Sequence, residues 1–205
     1  RTATFTPGRD AARKEASKLN VPRIGVRFRL PASMNQVEYF GRGPAENYLD
    51  RNAGSMVGLY KSTAEELYFP YVRPQENGHH TDTRWVSLST GKKGLLIQAD
   101  NTIGFNALRN SIEDFDDEEA TGLSRQWSNF TPEQVANHDE AAAKNVLRRQ
   151  HHINNITPRD FVEVCVDLKQ QGVAGYDSWG SRPEPAYTLP ANREYNWGFT
   201  LIPLK

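Results

Sequence analysis

Three acidic side chains in turn-rich segments could carry acid–base chemistry. Glu46 and Asp50 lie in GPAENYLDR at residues 43–51, and Glu76 lies in PQENG at residues 74–78. Retaining hydrolysis of a glycoside needs two carboxyl groups about 5 to 5.5 Å apart, one as nucleophile and one as acid and then base. Loop acids also fix turns, by accepting backbone N–H groups or by pairing with arginines such as Arg51 and Arg73. We favour this structural role, because loop acids alone do not identify a catalytic pair.

The sequence gives little support for a metal site. Its histidines form doublets at residues 79–80 and 151–152, with His138 alone, and Cys165 is the single cysteine. Adjacent strand residues point to opposite faces, so a doublet does not aim both imidazoles at one ion. A single cysteine excludes an internal disulfide and a cysteine-rich metal site. The acidic run at residues 113–119 lacks the glycine and ligand spacing of a calcium loop, so we expect a solvated loop there and no cofactor in this chain.

The sharpest local feature is GYDSWG at residues 175–180, which places Trp179 on a polar loop between glycines. An indole offers a flat apolar face that can lie against the C–H face of a sugar, while its N–H remains available for a hydrogen bond. Alternatively, Trp179 closes the end of the core, and the residues alone leave both interpretations open. Asp177 and Ser178 are weaker candidates for the same site. Trp197 is in phase with a strand face and is predicted to be core.

Apolar and polar residues alternate through much of the chain, as is typical of antiparallel strands with one buried and one wetter face. The clearest runs are residues 24–30, 162–168 and 195–201, and in the second of these Glu163, Cys165 and Asp167 fall on the wetter face. Shorter strands are predicted at residues 36–40, 85–88, 95–99 and 104–108. Many short strands separated by turns predict an all-β sandwich, in one domain over residues 1–205.

Two segments depart from the strand pattern. Thr131, Pro132 and Gln134 form an N-cap, a first-turn proline and a capping-box partner, and we predict a short helical segment over residues 131–149. Residues 1–20 are polar and basic, and we expect them to be an extended edge or partly disordered.

The charge balance argues against a charged partner. Because 25 Lys and Arg residues balance 25 Asp and Glu residues, no net field draws the chain to nucleic acid or to an anionic membrane. No apolar run approaches the roughly 18 residues of a membrane span, and the first ten residues lack a signal core. Arg1 is not an initiator methionine, so we expect the chain to belong to a longer polypeptide. The compartment is left open.

Four segments of this chain together resemble a known family. YFGRGPAENYLDR at residues 39–51 is similar to the Gly-x-Gly-Pro-x-Glu-Asn-Tyr-x-Asp-Arg signature near the C-terminus of glycoside hydrolase family 2 β-galactosidases. The others follow in the family's order: YVRPQENG at residues 71–78, FNAL at 105–108 and GVAGYDSWG at 172–180. The chain therefore resembles the C-terminal domain of these enzymes, of the domain 5 or small-chain type, from about residue 23 onward.

The resemblance implies both a fold and a division of roles. The family's last domain is an antiparallel supersandwich similar to galactose mutarotase, and its nucleophile and acid/base glutamates belong to a separate barrel, so no catalytic residue is expected here. Trp179 would reach the active site and stack on the aglycone or incoming sugar of a β-galactoside such as lactose. The family's magnesium and sodium ligands lie in the barrel. The implied partners are the β-galactoside, that barrel in the same polypeptide, and further copies of the full enzyme.

The sequence departs from the family pattern in two places. Tyr176 stands where a second acid is common, and residues 110–126 look like an insertion. The alternative function is a stand-alone carbohydrate-binding or aldose-epimerase-like module. Such an epimerase needs a histidine and an acid facing one bound sugar, and His79 or His80 with Glu76 are the neighbours that could supply them.

Overall fold

The computed structural model describes residues 2–5, 20–115, 153, 156–177 and 180–205. Its strands in chain order are β1 (Thr2–Phe5), β2 (Arg23–Pro31), β3 (Gln36–Gly43), β4 (Met56–Thr63), β5 (His80–Ser89), β6 (Gly94–Leu108), β7 (Phe161–Gln170) and β8 (Tyr195–Leu204). Short 3₁₀ turns lie at Ile112–Phe115 and Pro185–Tyr187. The predicted helix at residues 131–149 and most of the insertion at 110–126 lie outside the described residues. No helix in the described ranges is both long and apolar enough to cross a membrane.

Every strand pairing is antiparallel, and β6 is the centre of the sheet. Along one edge of β6, residues 94–99 pair with β8 and residues 104–108 pair with β7. The other edge pairs with β5, which leads to β3 and then β4. β1 pairs with β8, and β2 pairs with β7. The predicted all-β antiparallel class is therefore confirmed, and the two short strands predicted at 95–99 and 104–108 form one strand of 15 residues.

The core lies where β3, β5, β6 and β7 face inward. Tyr39, Val86, Ile97 and Phe105 are fully buried, as are several valines of β7. Trp197 joins this core, as its phase along the strand predicted. Strand β4 was not predicted, because its apolar side chains do not mark a buried face: Met56, Val57 and Leu59 are all exposed.

One sequence-based expectation about polar residues is wrong, and a second is contradicted at one residue. Glu163, Cys165 and Asp167 were expected on a wetter face of β7, but their exposed fractions are 3%, 3% and 1%. The reason is that arginines of the neighbouring strand β2 cover these acids: Arg29 pairs with Glu163 at 3.0 Å, and Arg23 pairs with Asp167 at 2.8 Å. The acidic run was expected to be solvated, yet Asp114 is buried and pairs with Arg159. Residues 116–119 of that run lie outside the described residues.

Candidate functional site

The signature segment folds into a turn at residues 43–52, here called the motif turn, and Asn47 holds it to the sheet. The amide of this fully buried side chain donates to the carbonyl oxygens of Arg42 and Ala45, at 3.1 Å each. Its Oδ1 accepts the backbone N–H of Thr81 at 3.0 Å and the Thr81 hydroxyl at 2.5 Å. Its backbone N–H donates to the carbonyl of His79 at 2.7 Å. The motif turn is therefore fixed against the start of β5.

Glu46 joins the motif turn to the loop at residues 69–78. Only 5% of its side chain is exposed. Its Oε1 accepts from the Arg51 guanidinium at 2.9 Å and from the Tyr71 hydroxyl. Its Oε2 accepts the Gly78 backbone N–H at 2.7 Å and the Tyr48 hydroxyl at 3.3 Å. With both oxygens occupied, Glu46 has the turn-fixing role that we favoured, including the expected pairing with Arg51.

Asp50 joins the motif turn to the segment that follows β7. Its Oδ1 accepts the backbone N–H of Val173 at 3.1 Å, and its Oδ2 accepts that of Ala174 at 2.7 Å. A Cβ atom on Gly172 would lie 2.4 Å from Oδ2, so only glycine allows this close approach. The predicted structural role of Asp50 is confirmed, through a partner more than 120 residues away in sequence.

Glu76 is less constrained than the other two acids. It accepts a hydrogen bond from Asn106 Nδ2 at 3.3 Å and lies 3.8 Å from Arg23 Nη1, with 28% of its side chain exposed. Asn77 beside it clamps the loop, accepting from the Phe69 N–H at 2.9 Å and donating to the Phe69 carbonyl at 2.5 Å.

A second set of polar side chains lies beneath these loops, on three strands and directly before a fourth, and we call it the strand network: Arg23, His79, Asn106 and Asp167. Arg23 Nε donates to Asp167 Oδ2 at 2.9 Å, and Arg23 Nη2 lies 2.8 Å from the same oxygen. Asn106 Oδ1 accepts from Arg23 and lies 2.8 Å from His79 Nδ1. Burial raises the pKa of Asp167 to about 6, although the Arg23 charge opposes that shift, and burial lowers the pKa of His79 to about 3.

Both histidines of the first doublet are inside the protein. The exposed fractions of His79 and His80 are 1% and 0%. The His80 ring nitrogens each lie 3.2 Å from a carbonyl oxygen, of Gly78 and Pro44, and burial lowers the pKa of His80. Neither imidazole faces open space beside Glu76, which counts against the epimerase-like arrangement.

An open polar cleft of about 480 Å³ separates the loops that Glu46 and Asp50 hold. We call it the loop cleft. Tyr48 and Arg51 of the motif turn border it on one side, Tyr71 and Glu76 on another, and residues 170–175 on a third. Its volume falls within the range of small-molecule sites. The four signature segments, which are far apart in sequence, therefore meet around one cleft or directly beneath it.

The predicted sugar-binding residues lie on the chain that leaves this cleft. Asp177 is exposed, whereas Ser178 and Trp179 lie outside the described residues. On either side of them, Gly175 and Gly180 have positive φ angles of 86° and 82°, and the Tyr176 N–H donates to Ser181 Oγ at 3.1 Å. The backbone at both ends of this loop is thus tightly turned, and the contact of Trp179 with sugar stays a prediction.

The residues that sequence reasoning missed are those whose partners are distant in the chain. Asn47 and Asn106 each make several of the hydrogen bonds beneath the cleft, yet an isolated asparagine gives no local signal. Arg23 and Asp167 each fall in phase with the polar residues of an alternating run, so the pattern gave no sign that they form a buried pair. A further cavity of about 400 Å³ lies on the other side of Glu76, with Cys165 in its wall. Burial raises the pKa of that thiol to about 12. Among the described residues, no group of three or more His, Cys, Asp or Glu side chains is arranged to hold a metal ion.

Comparison with known proteins identifies the family. The model of the family described as "Beta galactosidase small chain" matches residues 3–201. A β-galactosidase of Priestia megaterium is 35% identical over 185 residues, which cover 90% of this chain and 15% of that relative. One from Vibrio cholerae is 29% identical over 181 residues, covering 88% of this chain and 14% of the relative. One from an Arthrobacter species, strain B7, is 40% identical over 111 residues, covering 51% and 11%.

The described residues form an all-β antiparallel domain. Its four signature segments meet at a polar cleft that is lined by loops. The chain belongs to the Beta galactosidase small chain family, which confirms the resemblance read from its motifs. It spans no more than about 15% of the length of the curated relatives it matches.

Proposed function

We propose that this chain is the C-terminal part of a retaining β-galactosidase that hydrolyses terminal β-D-galactosides of the lactose type. Its fold would be a supersandwich of the galactose mutarotase kind. The relatives that match most of the chain are β-galactosidases several times longer, so the nucleophile and the acid/base would come from another part of such a polypeptide. The partners would be that catalytic part, the β-galactoside and further copies of the enzyme.

The observation that carries this proposal is that Glu46 and Asp50, two of the three candidate acids, are engaged in holding the structure. Glu46 and Asp50 accept hydrogen bonds from backbone and side-chain donors on both of their oxygens. A nucleophile for glycoside hydrolysis needs an oxygen that can reach the sugar, and its partner carboxyl must lie about 5 to 5.5 Å away. Glu46 and Asp50 therefore frame the loop cleft, and we assign no carboxylate of this chain a part in bond cleavage.

Within this enzyme, we assign Trp179 to the aglycone or acceptor subsite, with Asp177 and Ser178 beside it as weaker contacts. The loop that carries Trp179 leaves the loop cleft between two left-handed glycines, and its described neighbours are exposed. An exposed, rigidly based loop is a suitable carrier for an aromatic side chain that stacks on a sugar.

The purified 205-residue chain tests the division of roles. We expect no turnover of nitrophenyl β-galactoside by the chain alone, and recovery of turnover when the catalytic part of the polypeptide is present. Turnover that rises in proportion to the concentration of the isolated chain would refute the proposal.

Replacement of Trp179 in the longer polypeptide tests the subsite. During retaining hydrolysis a galactosyl-enzyme intermediate is attacked either by water or by a sugar acceptor. Trp179→Ala should lower the ratio of transfer to glucose over hydrolysis about tenfold, the loss expected for one aromatic stacking contact. Trp179→Phe keeps an aromatic face and should retain most of the ratio. An unchanged ratio in the alanine variant would exclude the stacking role.

A further inference from the structure

We propose that Asp50 is a positioning residue for the loop that leaves the cleft, and that it acts through the backbone of residues 172–176, here called the loop base. The consequence for the sugar rests on the function proposed above, whereas the effect on the loop base does not. Asp50 contacts no reacting atom in this proposal. It fixes the direction in which the chain leaves the loop base at residue 177.

The first support is the way the Asp50 carboxylate is used. Each oxygen accepts a backbone N–H from a consecutive residue, Val173 at 3.1 Å and Ala174 at 2.7 Å. Hydrogen bonds to a carboxylate are about twice as strong as neutral ones. A single hydrogen bond would fix only the position of the chain. Two hydrogen bonds to successive backbone amides also fix its orientation.

The second support is the conformation that these bonds hold. Ala174 has a φ of 56° and Gly175 a φ of 86°, so the chain turns through two left-handed residues directly after the contact. A left-handed conformation is unfavourable for a residue with a side chain, and Ala174 adopts it where its own N–H is bound to Asp50. The loop base is therefore held by tertiary contacts and not by local preference.

The third support is the fit between Asp50 and Gly172. A Cβ at residue 172 would lie 2.4 Å from Oδ2 and 2.5 Å from Cγ of Asp50. The Gly172 N–H also donates to the Tyr187 carbonyl at 2.8 Å. The loop base is thus pinned from two directions, by the motif turn and by the segment before β8.

The chemistry requires a carboxylate at this position. An asparagine has the same shape, but it offers one acceptor oxygen, and its amide group would face the second N–H donor. Asp50→Asn should therefore keep one of the two hydrogen bonds and lose the other. At the lost contact, the amide NH₂ group would face a backbone N–H, and two donors repel each other. Asp100→Asn is a matched control, because Asp100 is an exposed residue of β6.

Hydrogen exchange of the 205-residue chain tests the positioning directly. In Asp50→Asn, we expect the amides of residues 173–176 to exchange about tenfold faster than in the unchanged protein, the loss of about one charge-assisted hydrogen bond. The amides of β6 should be unaffected, and Asp100→Asn should match the unchanged protein throughout. Equal exchange at residues 173–176 in both variants would overturn the inference, as would a uniform increase across all strands.

A kinetic measurement in the longer polypeptide separates this inference from the function on which it rests. Asp50→Asn should lower the ratio of transfer to glucose over hydrolysis about as strongly as Trp179→Ala does, with nitrophenyl β-galactoside as donor. If Trp179→Ala changes the ratio and Asp50→Asn does not, Asp50 does not position the loop for the sugar. If neither variant changes the ratio while exchange at residues 173–176 rises, the positioning stands and the proposed subsite fails.

Discussion

The motif turn and the strand network are both built from polar groups, but they have different structural roles. In the motif turn, the carboxylate oxygens of Glu46 and Asp50 accept hydrogen bonds largely from donors in other loops. In the strand network, Arg23 and Asp167 neutralise each other inside the sheet. The first arrangement sets the distance between loops around a cleft. The second allows charged groups to remain beneath it.

The two regions therefore contribute differently to the site. Removing Arg23 or Asp167 from the strand network leaves the other as an unpaired buried charge, which affects the stability of the whole sheet. Removing a member of the motif turn frees one loop, because the lost partners are local segments at the surface. Stability should therefore depend more on the network, and the shape of the loop cleft more on the turn.

The largest effect is expected from Arg23→Met. The substitution keeps much of the length of the side chain but leaves Asp167, whose side chain is 1% exposed, without its cationic partner. Breaking a buried pair in this way costs about 3 to 5 kcal/mol. Urea unfolding at pH 8 measures the loss. The loss of stability should be smaller at pH 5, because protonation of Asp167 removes the unpaired charge. Burial already raises the pKa of that carboxyl to about 6.

The control for Arg23→Met is Arg84→Met. Arg84 lies over the Phe40 ring at 5.7 Å on the outer face of the sheet, where a cation–π contact contributes about 1 kcal/mol at most. If the two variants lose similar stability, the distinction between the buried network and the surface does not hold.

A smaller effect is expected from Glu46→Gln. The substitution removes the charge that faces Arg51, and its amide group replaces an oxygen that now accepts from Gly78 or Tyr71. We expect a loss of about 2 to 3 kcal/mol, as for hydrogen bonds to a charged group, with faster hydrogen exchange confined to residues 69–78.

Glu38→Gln is the matched control for Glu46→Gln. Glu38 pairs with Lys61 at 3.3 Å across the outer face of β3 and β4, where both side chains are at least partly exposed. Such pairs contribute about 1 kcal/mol or less. A loss of that size in Glu46→Gln would mean that the turn is held by its backbone contacts and Asn47 alone.

Sequence reasoning found most of the strands and the signature segments, but it missed β4 and the network that joins the segments. Alternation located β2, β7 and β8, because the pattern of apolar residues is a local property of the chain. It misplaced Asp167 on a wetter face, since nothing near residue 167 shows that Arg23 lies opposite it. The structural role of Glu46 was expected from its turn. Its contact with Gly78, and that of Asp50 with Ala174, depend on how distant segments pack.

The pH dependence of stability sharpens the contrast within the strand network itself. His79 has a folded pKa of about 3, below its ordinary value of about 6.5, so its contribution is lost as pH falls from about 6.5 towards 3. Asp167 has a folded pKa of about 6, above its ordinary value near 4, so its contribution decreases as pH rises from about 4 to 6. Between pH 4 and 6 the two slopes oppose each other. Asp167→Asn should make acid destabilisation steeper in this window, by about 1.4 kcal/mol for each pH unit.

His79→Gln should have the opposite effect on the same measurement. Glutamine has no proton to gain in the unfolded chain, so stability should fall less steeply between pH 6 and 4 than in the unchanged protein. Unfolding free energies at half-unit intervals of pH give both slopes. Because the ring and carboxylate lie 3.9 Å apart, slopes that change in the same direction in both variants would show that the two groups titrate as one unit. The network would then behave as a single buried ion pair, and the separate roles assigned to His79 and Asp167 would be wrong.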